Sequence, residues 1–314
     1  MRHIVAVEQF ERAWIESLFA EADAMRVLPA DAEPLRGKIL GSIFYEPSTR
    51  TRLSFESAMM RLGGNVISTE NAREFSSAIK GETVEDTIRM VSGYADAIAM
   101  RHHEEGAIAQ AIAVAEVPIL NAGDGPGEHP TQALLDLYTI HHELGRIDDL
   151  RIAMVGDLKY GRTVRSLSLL LRQTNNCHIL FVAPPQVDMR DDIKDALDAA
   201  GVSWEEQPDL DAAMSTADVV YQTRIQKERF ANEAEYLEVK GTYIITPEQM
   251  KLLGDHAIVM HPLPRVDEIS VEVDADPRAA YFRQAKNGVY VRMALLKQLL
   301  EPVPDELSED VPVS

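Results

Sequence analysis

Two hydrophobic rhythms alternate along this chain: short continuous apolar runs, and segments in which apolar residues recur every three or four positions. Runs at 38–44 (KILGSIF), 65–68 (NVIS), 97–100 (AIAM) and 117–122 (VPILNA) have the length and composition of buried strands. Between them lie TRLSFESAMMRLGG, TVEDTIRMVSGY and AIAQAIAVAEV, which carry the helical period. The first places Phe55, Ala58, Met59 and Leu62 on one face and stops at Gly63-Gly64. An amphipathic helix over 8–26 precedes them. The alternation predicts a parallel sheet built from βαβ units.

A long helical pattern over 129–149 ends at Gly145, and LRIAMVGD (150–157) starts afresh. The strands RIAMVGD, HILFVAP, DVVYQT and AIVMHP then repeat the theme, separated by helices near 163–173, 190–200, 210–216 and 247–253. The expected fold is therefore α/β, with two doubly wound parallel-sheet domains and the active site in the cleft between them. Residues 1–147 form the first domain and 148–286 the second. A final helix, 287–300, is long enough to pack back on the first domain. The acidic, proline-bearing 301–314 is expected to be a disordered tail.

Composition narrows the function. The chain has 314 residues, 46% of them hydrophobic, which is enough for a sizeable core. A formal net charge of −20 argues against a general nucleic-acid binder, so any anion must be met by a local cluster. Cys177 is the single cysteine, which excludes an intrachain disulfide and a cysteine metal site within one chain and fits a reducing cytoplasm. MRHIVAVEQFERAW lacks the apolar core of a signal peptide, and Glu116 and Pro118 cut the apolar stretch 107–120, so no membrane segment is expected.

Against that acidic background, YEPSTRTR packs arginines and hydroxyls where a strand gives way to a helix. Backbone N–H groups, the helix dipole and the side chains of Ser48, Thr49 and Thr51 converge there, and Arg50 and Arg52 add guanidinium forks. On the residues alone an anion site and a capped helix with exposed arginines both stay open. GDLKYGRT (156–163) makes the same kind of corner in the second half, with Arg162 and Thr163 at a strand's carboxyl end, where doubly wound sheets bind ligands. Its spacing is not G-x-G-x-x-G and no acidic residue closes the next strand, so a dinucleotide site fits poorly.

Other loops fall on the same edges. MRHHEEG puts Arg101 and His102 directly after the strand AIAM, where Arg101 is either a second phosphate clamp or a solvated loop residue. GDGPGEHPTQALLD opens a helix with Pro130 in its first turn and His129 and Gln132 beside it. In SSAIKGET, Lys80 reads as an ordinary solvated lysine. TRIQKERF carries Arg224, Gln226, Lys227 and Arg229, and MHPLPRVDEI follows the last strand. Two facing βα units, each with arginines at strand ends, imply small anionic substrates, one of them phosphorylated.

The ordered set STRTR, SSAIKGET, MRHH, HPTQALLDLYTI, GDLKYGRTVRSL, TRIQKER and HPLPRVDEI closely resembles the catalytic chains of the aspartate carbamoyltransferases, over roughly residues 1–300. STRTR and HPTQ mark the wider aspartate/ornithine transcarbamylase family. His261-Pro262-Leu263-Pro264 and the Arg224 segment match the aspartate type, whereas the ornithine type typically shows HCLP. Ile79 stands where some members have a second basic residue, and His103 replaces the proline that often follows MRH, so the loops around Lys80 and Arg101 depart from the pattern.

The resemblance implies transfer of a carbamoyl group from carbamoyl phosphate to L-aspartate, an early step of pyrimidine biosynthesis, with no metal or organic cofactor. It implies that Ser48, Thr49, Arg50, Thr51 and Arg101 hold the phosphate. Thr51, Arg101 and His129 would polarise the carbamoyl oxygen, and His129, Gln132, Leu263 and Pro264 would contact the carbamoyl group. Arg162, Thr163, Arg224 and Gln226 would bind aspartate. Ser76 and Lys80 would reach into a neighbouring subunit's site and bind aspartate there, Lys80 joining Arg50, Thr51, Arg101 and His129 as a catalytic residue, which implies a homotrimer, with a regulatory chain or a dihydroorotase as possible further partners. The competing readings are a transcarbamylase for another amino acid, a catalytically silent homologue acting in assembly, and a plain nucleotide binder.

Overall fold

A computed structural model describes residues 3–72, 81–225, 236 and 241–301. Ser76, Ile79, Lys80, Gln226, Lys227, Arg229 and residues 302–314 of the tail lie outside the described residues.

Nine strands, among the described residues, form two parallel sheets. Strands β1 (Ile39–Phe44), β2 (Asn65–Thr69), β3 (Ala97–His102) and β4 (Ile119–Asp124) are ordered β2-β1-β3-β4. Strands β5 (Arg151–Val155), β6 (His178–Val182), β7 (Ser203–Glu206), β8 (Val219–Gln222) and β9 (Ile258–Met260) are ordered β7-β6-β5-β8-β9. The central strands are almost wholly buried, as parallel strands covered on both faces must be. The edge strands β2 and β7 are largely exposed. The polar sequence SWEE of β7 carries no apolar run, which is why the sequence pattern does not mark it; it pairs with β6 from Ser203 opposite His178 to Glu206 opposite Phe181.

Each sheet has one point where the chain's winding reverses: between β1 and β3, paired from Leu40–Ala97 to Phe44–Arg101, and between β5 and β8, paired from Ile152–Val219 to Val155–Gln222. Loops leaving the carboxyl ends of these four strands diverge and open a crevice. Strand β3 runs two residues beyond the expected 97–100, so Arg101 and His102 belong to its end and not to the following loop.

Helices α1 (Arg12–Arg26), α2 (Thr49–Arg61), α3 (Val84–Ser92), α4 (Ala107–Val114) and α5 (Pro130–Leu144) belong to the first half. Residues 130–140 of α5 are buried all round, because this helix packs against both the final helix and α6 (Arg162–Leu170). A single apolar cluster accordingly runs from Leu40 and Leu120 through Leu134 and Tyr138 to Ile152, Phe181 and Tyr221.

The remaining helices are α7 (Asp191–Ala199), α8 (Leu210–Met214), α9 (Pro247–Met250) and α10 (Tyr281–Leu300). The last begins six residues before the expected 287. Asn287 and Gly288 interrupt the apolar period, but both are buried in the helix: Asn287 accepts from Arg26 at 2.8 Å, and a side chain at 288 would sit 3.1 Å from Leu135. Gly288 thus marks a close approach of α10 to α5, not a helix start. Helix α10 packs on α1, α2 and α5.

Candidate active site

Residues following β1, β3, β5 and β8, together with those after β4 and β9, line one cavity of about 730 Å³ between the two sheets. Ser48, Thr49, Arg50, Thr51, Arg101, His129, Gln132, Arg162, Thr163, Arg224, Leu263 and Pro264 all stand in its wall. Strand-end geometry brings them together from six separate loops.

At the first corner β1 ends at Phe44, the chain bends at Tyr45-Glu46, and Ser48 occupies the position before α2, yet its hydroxyl makes no capping hydrogen bond. The first-turn N–H groups and the positive end of the helix therefore stay directed at the cavity. Thr51 is buried and Arg50 exposed on the same wall. Arg52 turns away, donating to Glu56 at 3.2 Å and Glu70 at 2.9 Å, so it braces α2 against β2.

Arg101 and Arg162 come from opposite sheets and meet at Glu46, at 2.6 Å and 3.3 Å. Arg162 also donates to the Gly125 carbonyl at 2.6 Å. Gly123, at φ 129°, lies directly beneath the pair: a Cβ there would sit 3.1 Å from Arg162 and 3.3 Å from Arg101. Burial is the main reason the Arg101 guanidinium falls to about 10, with repulsion from Arg162 and Arg50 adding to it and Glu46 opposing it. Arg50, though its side chain reaches solvent, is also lowered, because the cavity wall strips part of its hydration. Among the described residues, the cavity wall thus holds Arg50, Arg101, Arg162, Arg224 and Arg292 against the single carboxylate of Glu46. Such a site favours anions strongly.

His129 precedes α5 and is 3% exposed. Its backbone N–H donates to Ser166 at 3.1 Å, while Nδ1 is buried with no hydrogen-bond partner among the described residues. Burial, reinforced by Arg162, Arg101 and Arg292, holds the imidazole neutral well below its usual range. A neutral imidazole in this place can donate one N–H to a carbonyl oxygen and brings no positive charge.

Behind His129, Gln132 donates to Asp136 at 2.9 Å, and Tyr221 and Gln284 donate to the same carboxylate at 2.7 and 2.6 Å. Burial pushes Asp136 up to about 7, against the pull of those three donors and of Arg292. Arg292 is itself buried over the Phe55 ring, and burial lowers its guanidinium to about 10. On the far wall, His261 Nε2 and Glu268 are 2.7 Å apart while Nδ1 accepts the Leu263 N–H at 2.7 Å. Leu263 takes φ 55°, a left-handed conformation held by that bond, and the Leu263–Pro264 peptide is cis.

Ser76, Lys80 and Gln226 lie outside the described residues. Glu46, Asp136, Tyr221, Gln284 and Arg292 carry no assignment from sequence reasoning. Glu46 alone has a local signal, standing two residues before Ser48 in the arginine-rich corner. No group of three or more His, Cys, Asp or Glu side chains that could hold a metal ion occurs among the described residues, and none of their helices is long and apolar enough to cross a membrane.

Comparison with known proteins matches residues 2–142 to the aspartate/ornithine carbamoyltransferase carbamoyl-P binding domain and 148–299 to the Asp/Orn binding domain. Aspartate carbamoyltransferase 1, chloroplastic, of Pisum sativum is 56% identical over 301 residues, covering 95% of this chain and 78% of that protein. The solved catalytic subunit of M. jannaschii aspartate transcarbamoylase superposes with a TM-score of 0.90 at 50% identity, covering 96% of this chain and 98% of that one. The Trypanosoma cruzi aspartate transcarbamoylase in complex with carbamoyl phosphate and aspartate gives a TM-score of 0.89 at 46% identity, covering 95% and 97%. Two family domains in order, filling nearly the whole chain around the arginine-lined cleft, establish its kinship: the chain belongs to the aspartate/ornithine carbamoyltransferase family.

Proposed function

We propose that the cleft transfers the carbamoyl group of carbamoyl phosphate to L-aspartate, giving N-carbamoyl-L-aspartate and phosphate, an early step of pyrimidine biosynthesis. The observation that carries this is the convergence of the α2 helix mouth, Arg101, Arg162 and the neutral His129 on one cavity at both switch points. The first half, 1–147, binds the phosphorylated substrate and the second, 148–286, the amino acid.

Ser48, Thr49, Arg50 and Thr51 receive the phosphate on backbone N–H groups, hydroxyls and one fork, with Arg101 as the second fork. Thr51, Arg101 and His129 donate to the carbamoyl oxygen, where negative charge develops as the carbon becomes tetrahedral. Gln132 and the backbone at Leu263 and Pro264 hold the carbamoyl amide. Arg162, Thr163, Arg224 and Gln226 take the two aspartate carboxylates.

The aspartate α-amine forms the new C–N bond, the C–O bond to phosphate breaks, and the amine proton leaves on the phosphate. The phosphate is a competent base for this, and the neutral His129 is free to polarise. Ornithine fits less well, because its side-chain ammonium would face Arg162 and Arg224. Ser76 and Lys80 complete the site of a neighbouring chain in a cytoplasmic homotrimer.

Calorimetry with carbamoyl phosphate and with inorganic phosphate tests the phosphate cradle. Both should bind the unaltered chain and lose at least about tenfold in affinity in Arg50→Ala, which removes a charge-assisted fork and no core contact. Unchanged affinity for both would refute the assignment.

A further inference from the structure

We infer that Asp136, which touches no substrate, is the positioning residue that lets the site tell a carbamoyl group from an acyl group, by fixing the acceptors for the carbamoyl NH2. This deepens the reading of the cleft as a carbamoyl-transfer site and rests on it.

Asp136 Oδ1 accepts from two side-chain amides while Oδ2 faces the Tyr221 hydroxyl, so even a proton carried on Oδ2 leaves Oδ1 an acceptor, and an amide facing Oδ1 must turn its NH2 inward. Gln132 does so at 2.9 Å, which leaves its carbonyl oxygen as the acceptor on a residue that lines the cavity. Gln284 does the same at 2.6 Å, and its own carbonyl oxygen accepts the backbone N–H of His261 at 2.8 Å. His261 Nδ1 in turn accepts the Leu263 N–H at 2.7 Å. One buried carboxylate therefore sets the amide direction of Gln132 and anchors the 261–264 segment on the opposite wall. Tyr221, at the end of β8, holds its second oxygen at 2.7 Å.

The consequence is chemical. Arginines crowd the cavity with donors, whereas the carbamoyl NH2 needs acceptors. In Asp136→Leu no oxygen remains to accept the NH2 groups of Gln132 and Gln284, so nothing holds the Gln132 amide in its direction and it flips to find a partner. A flipped Gln132 presents NH2 to NH2. Carbamoyl phosphate suffers; acetyl phosphate, which carries a methyl group in that place, does not.

The test measures the affinity of the unaltered chain and of Asp136→Leu for carbamoyl phosphate and acetyl phosphate, with carbamoyl transfer to aspartate followed on the same samples. The expected result is a loss of about 10- to 100-fold for carbamoyl phosphate against no more than about threefold for acetyl phosphate. Gln284→Met, which cuts the carboxylate from the 261–264 segment, should show the same selective loss and keeps the test valid if Asp136→Leu does not fold. Equal losses for both ligands, or no loss in either, overturn the inference while the unaltered chain still transfers the carbamoyl group. Absence of transfer by the unaltered chain overturns the reading of the site and this inference with it.

Discussion

Arg101→Met separates stability from function. The Arg101 side chain is 15% exposed and shares Glu46 with Arg162, so its charge sits among like charges in a poorly solvated wall. Its fall from the usual guanidinium range to about 10 means that the fold holds the charged form about 3 kcal/mol less well than water does. The sign follows from proton binding: between these two values the unfolded chain keeps a proton that the folded chain gives up, and at neutral pH, where both are charged, the folded state bears the whole penalty. Methionine removes the charge and keeps most of the volume. It also removes the contact to Glu46, which retains Arg162, so the net gain in stability should be about 1–2 kcal/mol, or a Tm about 2–5 °C higher. Binding should move the other way. Losing a fork that makes two charge-assisted bonds to phosphate lowers carbamoyl phosphate affinity at least about a hundredfold. Calorimetric melting and ligand titration of the same variant check both halves. A Tm several degrees lower, with affinity within a few-fold of the unaltered chain, would refute the reasoning.

Arg52→Ala should leave the KM for carbamoyl phosphate within about twofold and lower stability by about 1 kcal/mol, since this arginine braces Glu56 and Glu70 outside the cavity; saturation kinetics and melting decide. The His129 imidazole should show no titration in selectively labelled NMR between pH 8 and pH 6, and stability should fall as pH drops below 6.5, because only the unfolded chain takes up that proton; a midpoint near 6.5 in the folded protein would contradict its neutral role. Inactive Lys80→Ala and Arg50→Ala chains, mixed under conditions of subunit exchange, should regain some activity if sites are shared, and the native mass should be three times the 34.9 kDa of one chain; no regain despite demonstrated exchange sinks the shared site.

What the sequence makes legible is local. The apolar runs at 38–44, 97–100 and 150–155 give the central strands, and the turns after them place Ser48, Arg101 and Arg162 on one edge, because strand ends and helix starts carry short-range signals. The network behind the site is different in kind. Asp136 meets Tyr221 across 85 positions and Gln284 across 148, so no spacing rule links them. Arg292 reads as an ordinary helix arginine until α10 folds over α2 and buries it. Gly288 carries no signal within the expected helix until its missing side chain is seen to admit the Arg292 guanidinium and Leu135. Glu46 is visible in the sequence without a role, since an acidic residue in a basic corner has meaning only once Arg101 and Arg162 arrive from opposite sheets.

The most direct measurement follows carbon-13-labelled carbamoyl phosphate by NMR in the presence of L-aspartate, L-ornithine or N-acetylornithine. A label passing into N-carbamoyl-L-aspartate, with little or none into the other two, is the predicted result; no transfer to aspartate, or faster transfer to ornithine, would contradict it.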